Sequence, residues 1–139
     1  MEKVIVSACL LGENCKYNGK NNKNDKVLEF IKDKQVIPIC PEVFGGLSTP
    51  RVPSEIKANT VVNKDDIDVT KYFIDGPNKT LSIAKKYNVK KAILKQKSPS
   101  CGYGKIYDGN FNGKIIDGYG ITAKLLKENN IDIITEEDL

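Results

Sequence analysis

Short runs of β-branched and aliphatic residues alternate along this chain with longer stretches whose apolar positions recur at helical spacing. Val4-Ile5-Val6 reads as a buried strand ending at Ser7-Ala8-Cys9. Asn24 or Asp25 is placed to cap a helix in which Val27, Leu28, Phe30 and Ile31 share one face. Gln35 to Ile39 is a second strand, ending at Cys40-Pro41. From there to about Glu55, Gly45, Gly46, Pro50 and Pro53 predict no regular structure. Thr60-Val61-Val62 is a short strand leading to Asp68-Val69-Thr70, and Thr70 is placed to cap a helix through Tyr72, Phe73 and Ile74. Gly76-Pro77 predicts a kink or a split in that helix, whose pattern resumes from Thr80 through Tyr87. Val89 to Lys95 is a third strand, followed by Ser98-Pro99-Ser100-Cys101-Gly102. A Gly-rich loop or ribbon fills 102–120, a helix Thr122 to Asn129, and a last strand Ile131 to Ile134.

Strands alternating with helices give an α/β fold with a mostly parallel sheet and helices on both faces. The expected architecture is a three-layer, Rossmann-like single domain over residues 1–139, with the cysteine loops at the carboxyl ends of strands. A 40% hydrophobic fraction with 29% charged residues suits one globular core.

Composition narrows the chemistry. The chain has no histidine, which removes Ser-His-Asp and Cys-His nucleophiles, imidazole bases and His-ligated metals. Proton transfer is left to Glu, Asp, Lys, Tyr, Cys or the substrate, and any soft-metal site to the four cysteines. The net charge of +4 rests on 22 cationic residues, all lysine except Arg51, and is too small for a dedicated nucleic-acid binder. No apolar run reaches the roughly 18–20 residues that span a bilayer, and the first residues turn polar too soon for a signal peptide. A cytoplasmic protein with reduced thiols is expected, with no membrane partner and its oligomeric state open.

Cys9, Cys40 and Cys101 each follow the carboxyl end of an expected parallel strand, the edge where open α/β sheets bind ligands. Residues 6, 37 and 94 would lie in the sheet, so the three thiols can converge despite their separation. Three thiolates without histidine point to an iron or zinc site. A single cysteine after a strand is more often inert packing; three in Pro/Gly-rich turns favour a site. Cys15, in a polar loop, is a fourth ligand, a sulfur acceptor or neither.

The motifs Ser7-Ala8-Cys9-Leu10-Leu11-Gly12 with Lys16-Tyr17-Asn18-Gly19, Cys40-Pro41-Glu42 with Gly45-Gly46-Leu47 and Thr49-Pro50-Arg51, and Ser98-Pro99-Ser100-Cys101-Gly102 with Tyr107-Asp108-Gly109 resemble the thiouracil desulfidase family, formerly catalogued as a domain of unknown function. Asp68-Val69-Thr70 and Gly118-Tyr119-Gly120-Ile121-Thr122 extend the resemblance nearly end to end. It implies a [4Fe-4S] cluster held by Cys9, Cys40 and Cys101, a cofactor that aerobic preparation can remove. The iron without a protein ligand would take the sulfur of thiouracil or a related thiolated nucleobase in a non-redox hydrolysis. The resemblance places proton handling on Glu42 and Ser98. Two departures stand out: Lys16, where the family commonly has Arg and bidentate recognition, and Pro77 within a helix.

Read as residues, Glu42 is a general acid/base two positions from a ligand cysteine, or a carboxylate bonding the Gly45-Gly46 amides. Ser98 is held extended by Pro99, and its hydroxyl bonds the pyrimidine or a water, or caps the turn. Arg51, Ser100 and Tyr107 are the substrate-binding candidates: Arg51 as a rigid anion or carbonyl clamp, against a cap or salt bridge, and Tyr107 or Tyr103 as a face for a flat base, against a simple turn. Lys85, Lys86, Lys90 and Lys91 form a solvated face or a guide for a phosphate backbone. Two rival functions share these residues: desulfuration of thiolated tRNA with the same cluster, and a non-catalytic zinc or redox-thiol binding module.

Overall fold

The computed structural model describes residues 1–139. Strand β1 (Lys3–Ser7) pairs in parallel with β2 (Gln35–Ile39) on one side and with a later strand, Lys91–Leu94, on the other. Between them in sequence lie helix α1 (Asp25–Phe30), helix α2 (Pro41–Phe44), an antiparallel hairpin of β3 (Ser54–Lys57) and β4 (Thr60–Asn63), and helix α3 (Tyr72–Lys86). The strand Lys91–Leu94 is therefore β5. A second hairpin, β6 (Tyr103–Tyr107) with β7 (Ile115–Tyr119), precedes helix α4 (Ile121–Glu128) and strand β8 (Asp132–Thr135), which pairs in parallel with β5. The central sheet is thus fully parallel, in the order β2-β1-β5-β8.

Side-chain alternation makes the three layers. Val4 and Val6 of β1 and Ile93 of β5 face α1, packing with Val27, Ile31 and Leu10. Ile5, Ala92, Leu94 and Ile133 face the other way, onto Ala84 of α3 and Ala123 and Leu126 of α4. Both faces of the sheet are buried, so its strands read as continuous apolar runs. The chain order reverses at β1, between β2 and β5, and a ligand crevice opens at the carboxyl end of such a switch point.

Most expected elements appear, and three differ. The stretch after Cys40 contains a single helical turn, α2, because proline is tolerated at the first helical position, and it ends in strand β3 rather than continuing irregular. Thr70 does not cap α3; its hydroxyl accepts the Val61 N–H at 2.9 Å and ties the helix entrance to β4. Nor is α3 split at Gly76-Pro77. It runs for 15 residues, and Gly76 is where α3 meets α2: a Cβ there would stand 1.9 Å from the Pro41 carbonyl oxygen. Gly45 makes the reciprocal approach, where a Cβ would stand 2.1 Å from the Tyr72 carbonyl oxygen. These two glycines seat α2, and with it Cys40 and Glu42, directly on α3. No helix is long and apolar enough to cross a membrane.

Candidate functional site

A cavity of about 460 Å³ opens at the carboxyl edge of β2, β1 and β5. Cys9, Cys15, Cys40 and Cys101 all line it, with Glu42, Arg51, Ser98 and Tyr107. Seven of the eight residues singled out by sequence are therefore brought together, the exception being Ser100.

Each cysteine arrives by a different local device. Cys9 lies in a 3-10 turn, Ala8–Leu11, that continues β1 and closes at Gly12; the Asn22 and Gly12 N–H groups both donate to its carbonyl. Cys40 is the residue that opens α2, with the Phe44 N–H donating to its carbonyl at 2.9 Å. Cys101 sits in a loop bound to the start of α4. The N–H groups of Ile121, Thr122 and Ala123, which a helix cannot satisfy internally, donate to the carbonyls of Pro99 and Ser100.

The Ser98 hydroxyl organises that loop, accepting the N–H of Ser100 at 3.1 Å and of Cys101 at 3.0 Å. It caps the turn, and its own hydrogen is left to donate into the cavity. Ser100, expected at the substrate, is 1% exposed and shares a 2.7 Å hydrogen bond with the Thr122 hydroxyl, so its position is one of loop anchorage.

Arg51 is a strut. Its Nε donates to Glu42 Oε1 at 3.1 Å, one terminal nitrogen to the Ser48 carbonyl and Thr49 hydroxyl, and the other to the Cys15 carbonyl at 2.9 Å. Four of its five N–H groups are thereby engaged by the protein, so the expected anion clamp is a clamp on the chain's own oxygens. The Gly45 and Gly46 amides bond to the Pro41 and Val43 carbonyls, which leaves Glu42 to Arg51. Glu42 Oε2 carries no protein hydrogen bond. Burial pushes the Glu42 carboxyl up, against the opposing pull of Arg51.

The thiols are electrostatically unequal. A hydrogen bond from Cys15, with help from the Val43 N–H and the Arg51 charge, brings Cys40 down to about 7 against the effect of burial. Cys15 is pushed up, first by that same bond and then by burial. Burial raises Cys9 and Cys101, while the Asn22 amide beside Cys9 and the Ser7 hydroxyl beside Cys101 favour their thiolates. Cys40 also raises the cost of ionising Cys9, and Cys9 and Cys40 together raise that of Cys101.

No three of the cysteine and acidic side chains converge closely enough to hold one metal ion. A tetrahedral zinc site needs sulfurs roughly 3.8 Å apart, given Zn–S of about 2.3 Å. A polynuclear group, whose own metal atoms separate its ligands, does not need the thiols to meet at one point.

Sequence reasoning missed several lining residues. Lys95 donates to Glu136 Oε2 at 2.8 Å and to the Gln96 carbonyl, and Glu55 comes from the unrecognised strand β3. Ser54-Glu55-Ile56-Lys57 holds a single apolar residue, so no period-two pattern marked that strand. Tyr103 packs against Tyr119, ring centroids 5.2 Å apart, and is not a cavity residue. Lys16, the departure from the family pattern, lines the cavity, 5.7 Å over the Tyr17 ring. The Lys85–Lys91 cluster lies at the amino end of β5, across the sheet from the cavity, and Lys91 sits over the Phe30 ring.

Comparison with known proteins agrees with this geometry. The family model described as 2-thiouracil desulfurase matches residues 4–138. The uncharacterized protein YbbK of Bacillus subtilis strain 168 is 42% identical over 146 residues, covering 98% of this chain and 97% of that one. A solved structure described as the [4Fe-4S]-dependent thiouracil desulfidase TudS superposes with a TM-score of 0.92 at 38% identity, over 100% of this chain and 93% of the other. The chain belongs to the 2-thiouracil desulfurase family and is an enzyme of the desulfidase class.

Proposed function

We propose that this chain removes sulfur from thiouracil or a closely related free thiolated pyrimidine by hydrolysis, with a [4Fe-4S] cluster held by Cys9, Cys40 and Cys101. The observation that carries the reading is the meeting of three strand-end cysteines and one half-satisfied carboxylate, Glu42, around a single cavity. The donor set fits the group: Cys40 already favours its thiolate, and the buried Cys9 and Cys101, whose thiols resist ionising, would be stabilised as thiolates by a cationic cluster core. Three protein ligands leave one iron open, which supplies a Lewis acid for the substrate's sulfur when the cluster is bound.

The net reaction exchanges the C=S of the base for C=O, consuming one water and releasing hydrogen sulfide, with no change of oxidation state. Glu42 Oε1 is fixed by Arg51, so Oε2 is the atom that takes a proton from water and returns it to the leaving sulfur. Burial favours that cycle by raising the carboxyl's affinity for a proton. Ser98 Oγ, already accepting two backbone bonds, donates its hydrogen to the base or to the water. Arg51 positions Glu42 and the Cys15 loop rather than touching substrate.

Anaerobic incubation of the iron- and sulfide-loaded chain with 2-thiouracil tests this. Uracil and sulfide in equal amounts are expected. No turnover of the free base, with turnover of thiolated tRNA, would move the substrate to the polymer, and full occupancy by zinc without turnover would overturn the desulfidase reading.

A further inference from the structure

The cavity has a second wall that the cysteine chemistry does not use. Glu55 of β3 is 8% exposed, yet it lines the cavity. Its Oε1 accepts the Gly109 N–H at 2.9 Å and the Phe111 N–H at 3.2 Å, which fixes the plane of the carboxylate. Its Oε2 has no protein hydrogen bond. No sealed side-chain polar atom in the molecule is without a partner, so Oε2 keeps accessible surface, on a residue that lines the cavity. A carboxylate oxygen in so confined a place is favourable only when something donates to it.

Phe111 stands beside it. Its φ of 54° lies in the left-handed region, which an aromatic residue adopts only where the surroundings hold it there. The Glu55 bond to its N–H does so, and Gly109 presses the loop onto β3, where a Cβ would come within 2.6 Å of the Ile56 carbonyl oxygen. The result is an aromatic residue whose backbone is held in the cavity wall next to an open hydrogen-bond acceptor.

Gln96, also on this wall, is committed elsewhere. The Gln96 carbonyl accepts from Tyr103 and Lys97, and its amide donates to the Tyr103 carbonyl. Glu42 has an open oxygen, but it stands two residues from Cys40, among the thiols. A thiolated pyrimidine is flat and carries ring N–H donors on the edges flanking its sulfur. Glu55 and Phe111 supply the complementary acceptor and face.

Building on the desulfidase reading, we propose that Glu55 and Phe111 select the base: the Phe111 ring covers the face of the pyrimidine and Glu55 Oε2 accepts a ring N–H. They are specificity residues, separate from the cysteines and from Glu42. A site built around such an acceptor rejects analogues that lack the donor, because the carboxylate oxygen is then left unpaired.

The test uses the anaerobically cluster-loaded full chain with 2-thiouracil and 1,3-dimethyl-2-thiouracil, which has no ring N–H. Glu55→Gln should raise KM for 2-thiouracil about tenfold, with kcat within about twofold and iron content unchanged. Calorimetric binding of uracil, which carries no sulfur for iron, should weaken by a similar factor. The wild-type preference for 2-thiouracil over its dimethyl analogue should collapse in Glu55→Gln, since a purely steric preference would survive. An unchanged KM, or a preference retained by Glu55→Gln, overturns the proposal. Should Glu55→Gln not fold, Phe111→Leu decides: a raised KM at full iron content supports the wall, and an unchanged KM overturns it. Failure of the wild type to process thiouracil would overturn the desulfidase reading itself, whereas wild-type turnover with both variants unchanged would overturn this inference alone.

Discussion

The two walls of the cavity are built on different principles. One is the carboxyl edge of β2, β1 and β5, where Cys40, Cys9 and Cys101 leave strands or loops packed into the core and fixed by backbone hydrogen bonds. The other is formed by two hairpins, β3–β4 and β6–β7, joined by the Glu55 bonds to Gly109 and Phe111. Rigid, strand-anchored thiols suit a group whose ligand positions must be held closely. Hairpins held together by a few side-chain bonds suit the recognition of a substrate that must enter and leave. With the roles proposed above, labour is divided: chemistry at the sheet edge and selectivity at the hairpins.

Variants that act on one wall only test this division. Cys9→Ala, Cys40→Ala or Cys101→Ala should each abolish iron retention and activity together, read by iron quantitation after anaerobic loading. Glu42→Gln should keep the iron but lower kcat by about 100-fold or more, the scale of a lost general acid/base. Gly109→Ala, which forces a side chain against Ile56 in a left-handed conformation, should cost about 1–3 kcal/mol and raise KM at full iron content; loss of iron in that variant would break the separation of the walls. Ser100→Ala should lower stability by about 1 kcal/mol in thermal melts, with kcat/KM nearly unchanged, because its hydroxyl bonds Thr122 away from the cavity. Cys15→Ala should have the smallest effect on iron, leaving its content near that of wild type.

The sheet edge was legible because its signals are local and periodic. Val4-Ile5-Val6, Gln35 to Ile39 and Val89 to Lys95 announce buried strands, and each is followed by a cysteine. Asn24 does cap α1, accepting the Val27 N–H at 3.1 Å. The hairpin wall was not legible. Glu55 acts through partners more than 50 residues away, and no local pattern encodes the pairing of its oxygen with Gly109. Pro77 misled for a related reason: the propensity rule weighs the lost N–H, while the structure uses Gly76 beside it as a contact surface for α2. Arg51 stood out as a sole arginine in a proline-bracketed loop, but its partners come from three separate segments, so a strut and a substrate clamp look alike in sequence.

The proposal of three cysteine ligands and one open iron is tested most directly by Mössbauer spectroscopy of the chain loaded with iron-57 under anaerobic conditions. About four irons per chain are expected, split roughly three to one between thiolate-bound and non-thiolate sites, with the same split in Cys15→Ala. Four equivalent thiolate-bound irons in the wild type, with the cluster lost from Cys15→Ala, would make Cys15 a ligand, close the open position and contradict the account.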